Sequence, residues 1–216
     1  MRLVQPQSQC LYRVDRLPAL ILTFSLISCG TGKEEGAQAT PPGRFVAVGA
    51  QQQKQKDPLE WCDHHWQGDQ APKMQLPPVV ADQGELSGIQ AGRWTWVNLW
   101  ATWCGPCREE MPMLSRWDDQ LEKDNVNIDL FFLSVDEDPA LLAGYWKNNT
   151  TVMPDKTARL TDLQEMPPWL SKFQLGADTP IPIHVLVAPD GGARCVRAGS
   201  ITDADFHTIK QILAKG

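Results

Sequence analysis

The sequence predicts an α/β domain over residues 71–216, and three observations support this prediction. Residues 94–100 and 127–135 are near-continuous apolar runs, which are typical of strands buried on both faces of a covered sheet. A hydrophobic content of 42% is enough to fill one core in a chain of 216 residues. Between the two runs, apolar residues recur at helical spacing, at Met111, Leu114, Trp117 and Leu121.

The other elements follow from local signals along the chain. Residues 82–86 with the prolines before them suggest a short hairpin ahead of the first long strand. Acidic residues and a proline at 136–139 open a helix over 140–147. Prolines interrupt residues 150–168, so no element is assigned there. Beyond them the sequence predicts a short helix over 169–173, a strand over 183–187, a turn at 189–192, a strand over 193–197 and a closing helix over 203–215.

Cys104 and Cys107 form a C-x-x-C motif at the junction between the first long strand and the helix that follows it. A helix N-terminus carries partial positive charge, which favours the thiolate of the first cysteine. Cys104 is therefore the candidate nucleophile, and Cys107 is the candidate that attacks the resulting mixed disulfide. A structural disulfide or half of a zinc site is the alternative, but the chain contains no second C-x-x-C and no H-x-x-H pair.

The stretch W-A-T-W-C-G-P-C-R-E-E-M-P at residues 100–112 resembles the membrane-anchored, thioredoxin-like disulfide reductases of the TlpA/ResA type. The resemblance extends to Ala71-Pro72, to residues 97–100 and to residues 181–191, and covers residues 71–214. It implies the thioredoxin fold, a mixed central β-sheet with helices on both faces. It also implies an enzyme, a protein-disulfide oxidoreductase that needs no cofactor.

The resemblance gives Glu110 a role in proton transfer. Glu110 lies three residues after Cys107, where ResA-like proteins carry a glutamate that assists the second cysteine, whereas Asn98 stands where thioredoxin has a buried aspartate. Residues 107 and 110 share a helix face, so the carboxylate can reach the sulfur region. Glu110 is equally compatible with a solvated acid of the first helical turn, like Glu109, and both interpretations stay open.

Pro182 matches the cis-proline of the family, which lies against the disulfide and offers backbone hydrogen bonds to an incoming peptide. Ile183 follows it where the family often has a polar residue, which leaves the substrate preference open. His184, in the same strand, is expected to be a core or edge histidine rather than one that titrates near neutral pH. The residues expected to face the substrate are Trp103, Gly105, Pro106 and Ile181.

By the same resemblance, the implied function is the reduction of disulfides in exported proteins, including apocytochromes c, with electrons from a membrane thiol relay. The Gly-Pro dipeptide between the cysteines favours the reducing direction. The alternative is a non-enzymatic lipoprotein that carries copper or zinc on the same two cysteines. A formal net charge of -6 argues against nucleic acid as a partner, because no basic stripe is available to neutralise phosphates.

Residues 1–28 are expected to be a lipoprotein signal peptide. Arg13 and Arg16 precede an apolar run over residues 17–27 that is too short to span a bilayer, and Leu-Ile-Ser-Cys at 26–29 looks like a bacterial lipoprotein cleavage box. Cys29 is then the lipidated residue, anchored on the periplasmic side, and Gly30 favours the outer over the inner membrane. An ordinary secretory signal with a chance cysteine is the alternative.

Two segments separate the predicted signal peptide from the domain. Residues 29–56 are rich in Gly, Gln, Lys, Thr and Pro and are expected to form a flexible tether. Residues 57–70 form an N-terminal extension that contains Trp-Cys-Asp-His-His-Trp at 61–66. This cluster lacks the second spaced ligand pair of zinc sites, so no metal site is predicted.

The chain has six cysteines, and four of them are accounted for by these assignments. Cys10 is expected to leave with the signal peptide, which leaves Cys62 and Cys195 unassigned. In an oxidising compartment they are expected to form a structural disulfide that ties the extension to the sheet edge. Two buried free thiols are the alternative, since spacing alone does not bring the Cα atoms within reach.

Overall fold

The structure is a computed structural model that describes residues 56–82, 88–150 and 156–215. The predicted signal peptide, Cys10, Cys29 and all but the last residue of the predicted tether lie outside these ranges. None of the helices in the described ranges is long and apolar enough to cross a membrane.

The described residues form seven strands and four α-helices, with all seven strands in one mixed sheet. The strands are β1 (His64–His65), β2 (Val79–Ala81), β3 (Trp94–Trp100), β4 (Ile128–Ser134), β5 (Lys156–Leu160), β6 (Ile183–Val187) and β7 (Ala193–Ala198). The helices are α1 (Gly105–Lys123), α2 (Pro139–Asn148), α3 (Met166–Ser171) and α4 (Phe206–Leu213). Short 3-10 helices lie at Pro58–Trp61, Gly68–Gln70, Leu163–Glu165 and Asp203–Asp205.

The strand order across the sheet is β1-β7-β6-β3-β4-β5-β2. β3, β4 and β5 are parallel neighbours, and the other pairs are antiparallel. Every residue of β3 and β4 is buried, as the apolar runs predicted. Mixed pairing with helical connections is the thioredoxin-like arrangement, so the predicted fold class is confirmed. The carboxyl ends of β3 and β4 meet at one edge of the sheet, where the C-x-x-C motif begins α1.

Aromatic side chains join three helices to one face of the sheet. The ring of Trp96 on β3 lies 6.0 Å from that of Trp117 on α1, which lies 5.1 Å from Phe206 on α4. Trp100 lies 5.1 Å from Tyr145 on α2. The even-numbered residues of β3 therefore face α1, α2 and α4, and the active-site helix is held against the central strand.

Residues 150–168, which carried no sequence assignment, contain β5 and the start of α3. β5 lacks an apolar run because it contains Lys156 and Arg159. Both charges have partners, since Lys156 is ion-paired with Asp129 and Arg159 donates to the Leu160 carbonyl at 2.9 Å. Two prolines begin α3 instead of interrupting a helix, since proline tolerates the first helical turn. α3 consequently starts at Met166, earlier than the predicted residue 169, and ends at Ser171 rather than at 173.

Two other expectations are modified at the ends of the domain. The hairpin predicted at 82–86 falls mostly on residues 83–87, which lie outside the described ranges, and β2 just before it pairs with β5. The closing helix α4 begins at Phe206, after residue 203, because a 3-10 turn with a capping box between Thr202 and Asp205 precedes it.

The N-terminal extension runs along the outer edge of β7. The backbone N–H of Asp63 donates to the Val196 carbonyl at 2.8 Å, and β1 pairs antiparallel with β7. Cys62 and Cys195 form a disulfide, with their Cα atoms 5.5 Å apart.

Trp61 adds a second attachment beside this disulfide. Its indole N–H donates to Asp205 at 2.9 Å, and the guanidinium of Arg197 lies 4.9 Å from the ring centroid and donates to the Trp61 carbonyl at 2.8 Å. The extension is therefore held to the domain by covalent, polar and aromatic contacts together.

Removing the Cys62–Cys195 disulfide should destabilise the domain strongly, because the bond closes a sequence separation of 133 residues. In the chain-entropy model a loop of this length corresponds to about 5 kcal/mol, and we expect Cys62→Ala/Cys195→Ala to lose about 2–5 kcal/mol of unfolding free energy in urea. The matched control is Cys104→Ala/Cys107→Ala, whose separation of 3 residues gives about 2 kcal/mol in the same model. Equal losses in the two double variants would contradict the loop-length argument.

Candidate active site

Cys104 is the N-cap residue of α1. Its backbone is extended, and its sulfur accepts a hydrogen bond from the backbone N–H of Cys107 at 3.2 Å. Gly105 and Pro106 fill the first turn, where proline is favoured. The helix N-terminus is thus directed at the sulfur of Cys104, which in the reduced state favours its thiolate.

Cys104 and Cys107 form the second disulfide, with their Cα atoms 5.3 Å apart. Cys104 retains 5% exposure, whereas Cys107 is 0% exposed. A reactant from solution can therefore reach the pair only at Cys104, although that residue is far less open than its place at a helix terminus implied. Of the predicted substrate-facing residues, Trp103 is 66% exposed, Pro106 is exposed, and Gly105 and Ile181 are half-buried.

The segment before β6 lies opposite the disulfide. The Ile181-Pro182 peptide bond is cis, and the carbonyl oxygen of Ile181 lies 3.8 Å from the sulfur of Cys104. Pro182 is buried, and its carbonyl accepts the N–H of Gly199 at 2.8 Å. The structure therefore brings Trp103, the two cysteines and the Ile181 carbonyl to one place at the sheet edge.

Glu110 lies one helical turn beyond Cys107, on the same face of α1, and is 4% exposed. Its Oε1 accepts from the Asn98 side-chain amide at 3.0 Å, and its Oε2 accepts from the Ile201 backbone N–H at 3.3 Å. The interpretation of Glu110 as a solvated first-turn acid is therefore wrong, whereas Glu109 is exposed.

Burial raises the pKa of Glu110 to about 7, against the opposing effect of the hydrogen bonds from Ile201 and Asn98. A carboxyl group with this pKa can both hold and release a proton near neutral pH. Its place one turn after the buried sulfur suits it to exchange that proton with Cys107.

His184 lies directly across from Asn98 in the β3–β6 register and is fully buried. Burial and the nearby Arg197 lower the pKa of His184 to about 3, so the imidazole is neutral. This agrees with the expectation of a core histidine. Its Nε2 lies 3.5 Å from Oε1 of Glu110, a contact that no local pattern in the sequence predicts.

The sequence places Asp136 among the acids that begin α2, but in the structure Asp136 does not cap that helix. The N-cap is Asp138, which accepts the Ala140 N–H at 2.8 Å. Asp136 is buried and instead accepts from Thr102, from its backbone N–H at 3.0 Å and its hydroxyl at 2.7 Å. It thereby ties the loop before Cys104 to the end of β4. In the sequence, the feature that could have indicated this role is that Asp136 directly follows the apolar run of residues 127–135. The carboxyl end of that strand lies beside the carboxyl end of β3.

The histidines of the extension take part in β1 through their backbones. Within the part of the chain that the structure describes, His, Cys, Asp and Glu residues form no group of three or more that could hold a metal ion.

The sequence matches the AhpC/TSA family over residues 67–191. The chain belongs to this family. It is 24% identical over 153 residues to the thiol-disulfide oxidoreductase ResA of Bacillus subtilis, covering 69% of the chain and 77% of the relative. It is 27% identical over 142 residues to ResA of Oceanobacillus iheyensis, covering 62% of the chain and 66% of the relative. With its paired cysteines at the helix terminus, this AhpC/TSA member is a thiol-disulfide oxidoreductase.

Solved structures similar to the chain include StoA from Bacillus subtilis, with a TM-score of 0.45 and 18% identity over 63% of this chain and 97% of that one. A thioredoxin-related protein from Neisseria meningitidis serogroup B has a TM-score of 0.48 and 23% identity over 64% and 99% of the respective chains.

The raised pKa of Glu110 predicts a pH dependence of stability with a defined sign. The folded pKa of about 7 lies above the ordinary value of 4.5, so the folded protein holds the proton more tightly. This stabilisation is complete below pH 4.5 and is lost as the pH rises through about 7. The unfolding free energy of Glu110→Gln minus that of the wild type should therefore rise by about 3 kcal/mol between pH 4.5 and pH 8, because only the wild type loses this stabilisation. Urea unfolding of the oxidised protein measures both values.

The control for this measurement is Glu109→Gln, which alters an exposed carboxylate on the same helical turn. Its stability difference from wild type should stay nearly constant over the same range. A constant difference for Glu110→Gln as well would show that Glu110 titrates normally.

Proposed function

We propose that this oxidoreductase works as a reductase for disulfides in exported proteins, with apocytochromes c among its substrates, and receives its electrons from a membrane thiol relay. The observation that carries the proposal is Glu110, a buried carboxyl group with a pKa of about 7, one turn beyond a fully buried cysteine. A reductase must deprotonate its second cysteine while that sulfur is inaccessible to water. Glu110 supplies a base at that position.

Reduction of a substrate takes two exchange steps. The Cys104 thiolate attacks one sulfur of the substrate disulfide, forms a mixed disulfide and releases the first substrate thiolate. Cys107 then loses its proton to Glu110 and attacks the sulfur of Cys104, which breaks the mixed disulfide and releases the second substrate thiolate. Two electrons pass to the substrate, whose two thiolates take up protons from solution.

Reduction of the Cys104–Cys107 disulfide by the relay reverses the proton transfer between Cys107 and Glu110. A thiolate of the relay attacks Cys104 of the enzyme disulfide, and Cys107 leaves as a thiolate that takes the proton held by Glu110. A second relay thiolate then releases Cys104. A carboxyl group with a pKa near the working pH serves both directions, because it is neither fully ionised nor fully protonated.

The surface around Cys104 is suited to an extended peptide. Trp103 offers a large exposed ring, and the Ile181 carbonyl lies beside the sulfur. A substrate backbone N–H near its cysteine can donate to such a carbonyl, while Trp103 packs against apolar side chains.

We also propose that the protein is lipid-anchored at Cys29 on the periplasmic side, in the outer rather than the inner membrane, after loss of residues 1–28. The sequence supports this through the cleavage box and the following Gly30.

The lipid anchor can be tested directly in cells. The wild type should incorporate labelled fatty acid and partition into detergent, whereas Cys29→Ala should do neither. Cys10→Ala is the control and should behave like wild type. An unlabelled wild type would mean ordinary secretion, and labelled protein in the inner-membrane fraction would correct the choice of membrane.

The assignment of roles within the cysteine pair predicts an asymmetric trapping experiment. Cys107→Ser should keep attack on substrates and accumulate mixed disulfides, because Cys104 is the sulfur at the helix terminus and the one with access to solvent. Cys104→Ser should trap nothing. Non-reducing gels of exported proteins measure both, and the trapped substrates identify the target class. Equal trapping by both variants would overturn the assignment, and trapped partners that are all membrane thiol relays would overturn the substrate class.

Replacement of Glu110 should slow exchange selectively at the second step. In insulin reduction at pH 7, Glu110→Gln should lose about a hundredfold in rate, at the lower end of the range for one general base. Glu109→Gln should stay within roughly twofold of wild type, because it leaves the buried carboxyl intact. Indistinguishable rates for the two variants would remove Glu110 from the mechanism.

A further inference from the structure

His184 is a buried titratable residue that the exchange steps do not use. It lies on β6 with no exposed surface, next to the Glu110 carboxyl beneath the disulfide. Burying a polar ring in an apolar sheet face is costly unless its nitrogens are satisfied. The partners of its two nitrogens therefore indicate what the ring does.

The partners of Nδ1 fix the tautomer of the ring. The indole N–H of Trp96, which can only donate, lies 3.3 Å from Nδ1. The side-chain amide nitrogen of Asn98 lies 3.2 Å from the same atom, and its other hydrogen is directed to Glu110. Nδ1 is thus the acceptor, and in a neutral ring the proton resides on Nε2.

The Nε2–H group of His184 is the donor that faces Glu110. Within the described residues Nε2 has no hydrogen bond of good geometry, and Oε1 of Glu110 lies 3.5 Å away. A hydrogen bond with the backbone of Gly199 also raises the pKa of His184, against the larger effect of burial. A short approach of the Glu110 carboxylate would complete the hydrogen bond that the ring lacks.

Burial keeps the ring of His184 neutral, even though three charged or titratable groups surround it. Glu110 approaches from α1, Arg197 lies across from it on β7, and Asp205 precedes α4. Burial is the largest effect on the pKa of His184 and lowers it, Arg197 lowers it further, and Asp205 raises it. The ring therefore acts as a hydrogen-bond donor and does not become a carrier of the proton.

We propose that His184 is a positioning residue for Glu110: its Nε2–H donates to the ionised carboxylate and so sets the pH at which Glu110 accepts the proton of Cys107. The proposal rests on the proposed function of Glu110 as the base in exchange. The proton on Nε2 stays in place throughout, and the transferred proton moves only between Cys107 and Glu110. Trp96 and Asn98 contribute by holding the ring in the donating tautomer.

The expected size follows from the charge of the acceptor. A hydrogen bond to an ionised carboxylate is stronger than one to the neutral acid, so its loss raises the pKa of Glu110. Because the Nε2 to Oε1 separation is long, we expect a shift at the lower end of the range, about one pH unit upward, or a tenfold change in the proton affinity of Glu110.

The test is an NMR titration of Glu110 in the oxidised full-length protein carrying 13C-labelled glutamate, with the resonance assigned by its absence in Glu110→Gln. His184→Phe should raise the midpoint by about one unit, and His184→Gln, whose amide can both accept and donate, should return it most of the way. Val185→Ala is the matched control, since it weakens packing on the opposite face of β6. It should lower thermal stability without moving the midpoint, and an unmoved midpoint in folded His184→Phe would overturn the proposal.

A measurement on the wild type keeps the proposal testable if His184→Phe does not fold. The 15N shifts should identify the Nε2–H tautomer, and the Nε2 shift should follow the Glu110 titration with the same midpoint. An Nδ1–H tautomer, or an Nε2 shift that ignores that titration, would overturn it.

The pH profile of mixed-disulfide resolution separates this proposal from the function on which it rests. Resolution should shift to higher pH in His184→Phe and lose its dependence on His184 in the Glu110→Gln background. If Glu110→Gln resolves mixed disulfides at the wild-type rate while the NMR midpoint still moves in His184→Phe, the role of Glu110 fails and the His184 contact stands. If Glu110→Gln is slowed while the midpoint stays unmoved, Glu110 remains the base and the positioning role of His184 fails.

Discussion

The position of one sulfur at the start of one helix is the constraint on which the site depends. β3 is buried along its whole length, so its carboxyl end is fixed in the core, and α1 begins shortly after Trp100 with Cys104 as its N-cap. The free N–H groups of a helix terminus are the stabilising environment that a thiolate needs. The neighbouring segments have complementary tasks: Asp136 holds the preceding loop, and the Ile181 carbonyl stands opposite the sulfur.

The parts of the fold that the sequence predicts are those where burial is uniform. β3 and β4 are buried on both faces and therefore appear as apolar runs, and α1 buries one stripe, so its spacing is visible. β5 is different, because it contains the charged residues Lys156 and Arg159. Lys156 is ion-paired with Asp129, and Arg159 donates to the backbone carbonyls of Asp136 and Leu160. Nothing in the local pattern shows that such charges will be paired.

The site likewise divides into residues that the sequence reveals and residues whose roles depend on the fold. The cysteines are visible because their spacing carries the chemistry, whereas the two interpretations of Glu110 differ only in burial. Its burial is decided by Asn98 and Ile201, residues on other elements that meet it only in the folded chain. Asn98 and His184 are buried polar residues in largely apolar strands, and their pairing depends on the strand register. Tertiary placement, which local propensity does not encode, turns these residues into one polar cluster.

The N-terminal extension has a consequence for the outer side of the sheet. An unpaired strand edge offers a row of N–H and C=O groups to which a strand of another chain can add. From Asp63 to Met74 the extension and the first residues of the domain form backbone hydrogen bonds along β7 and the turn before it, and so occupy those groups within the same molecule. This side of the sheet is thereby protected from pairing with the strands of other chains. The disulfide between Cys62 and the buried Cys195 keeps the extension attached while the Cys104–Cys107 disulfide is reduced and re-formed.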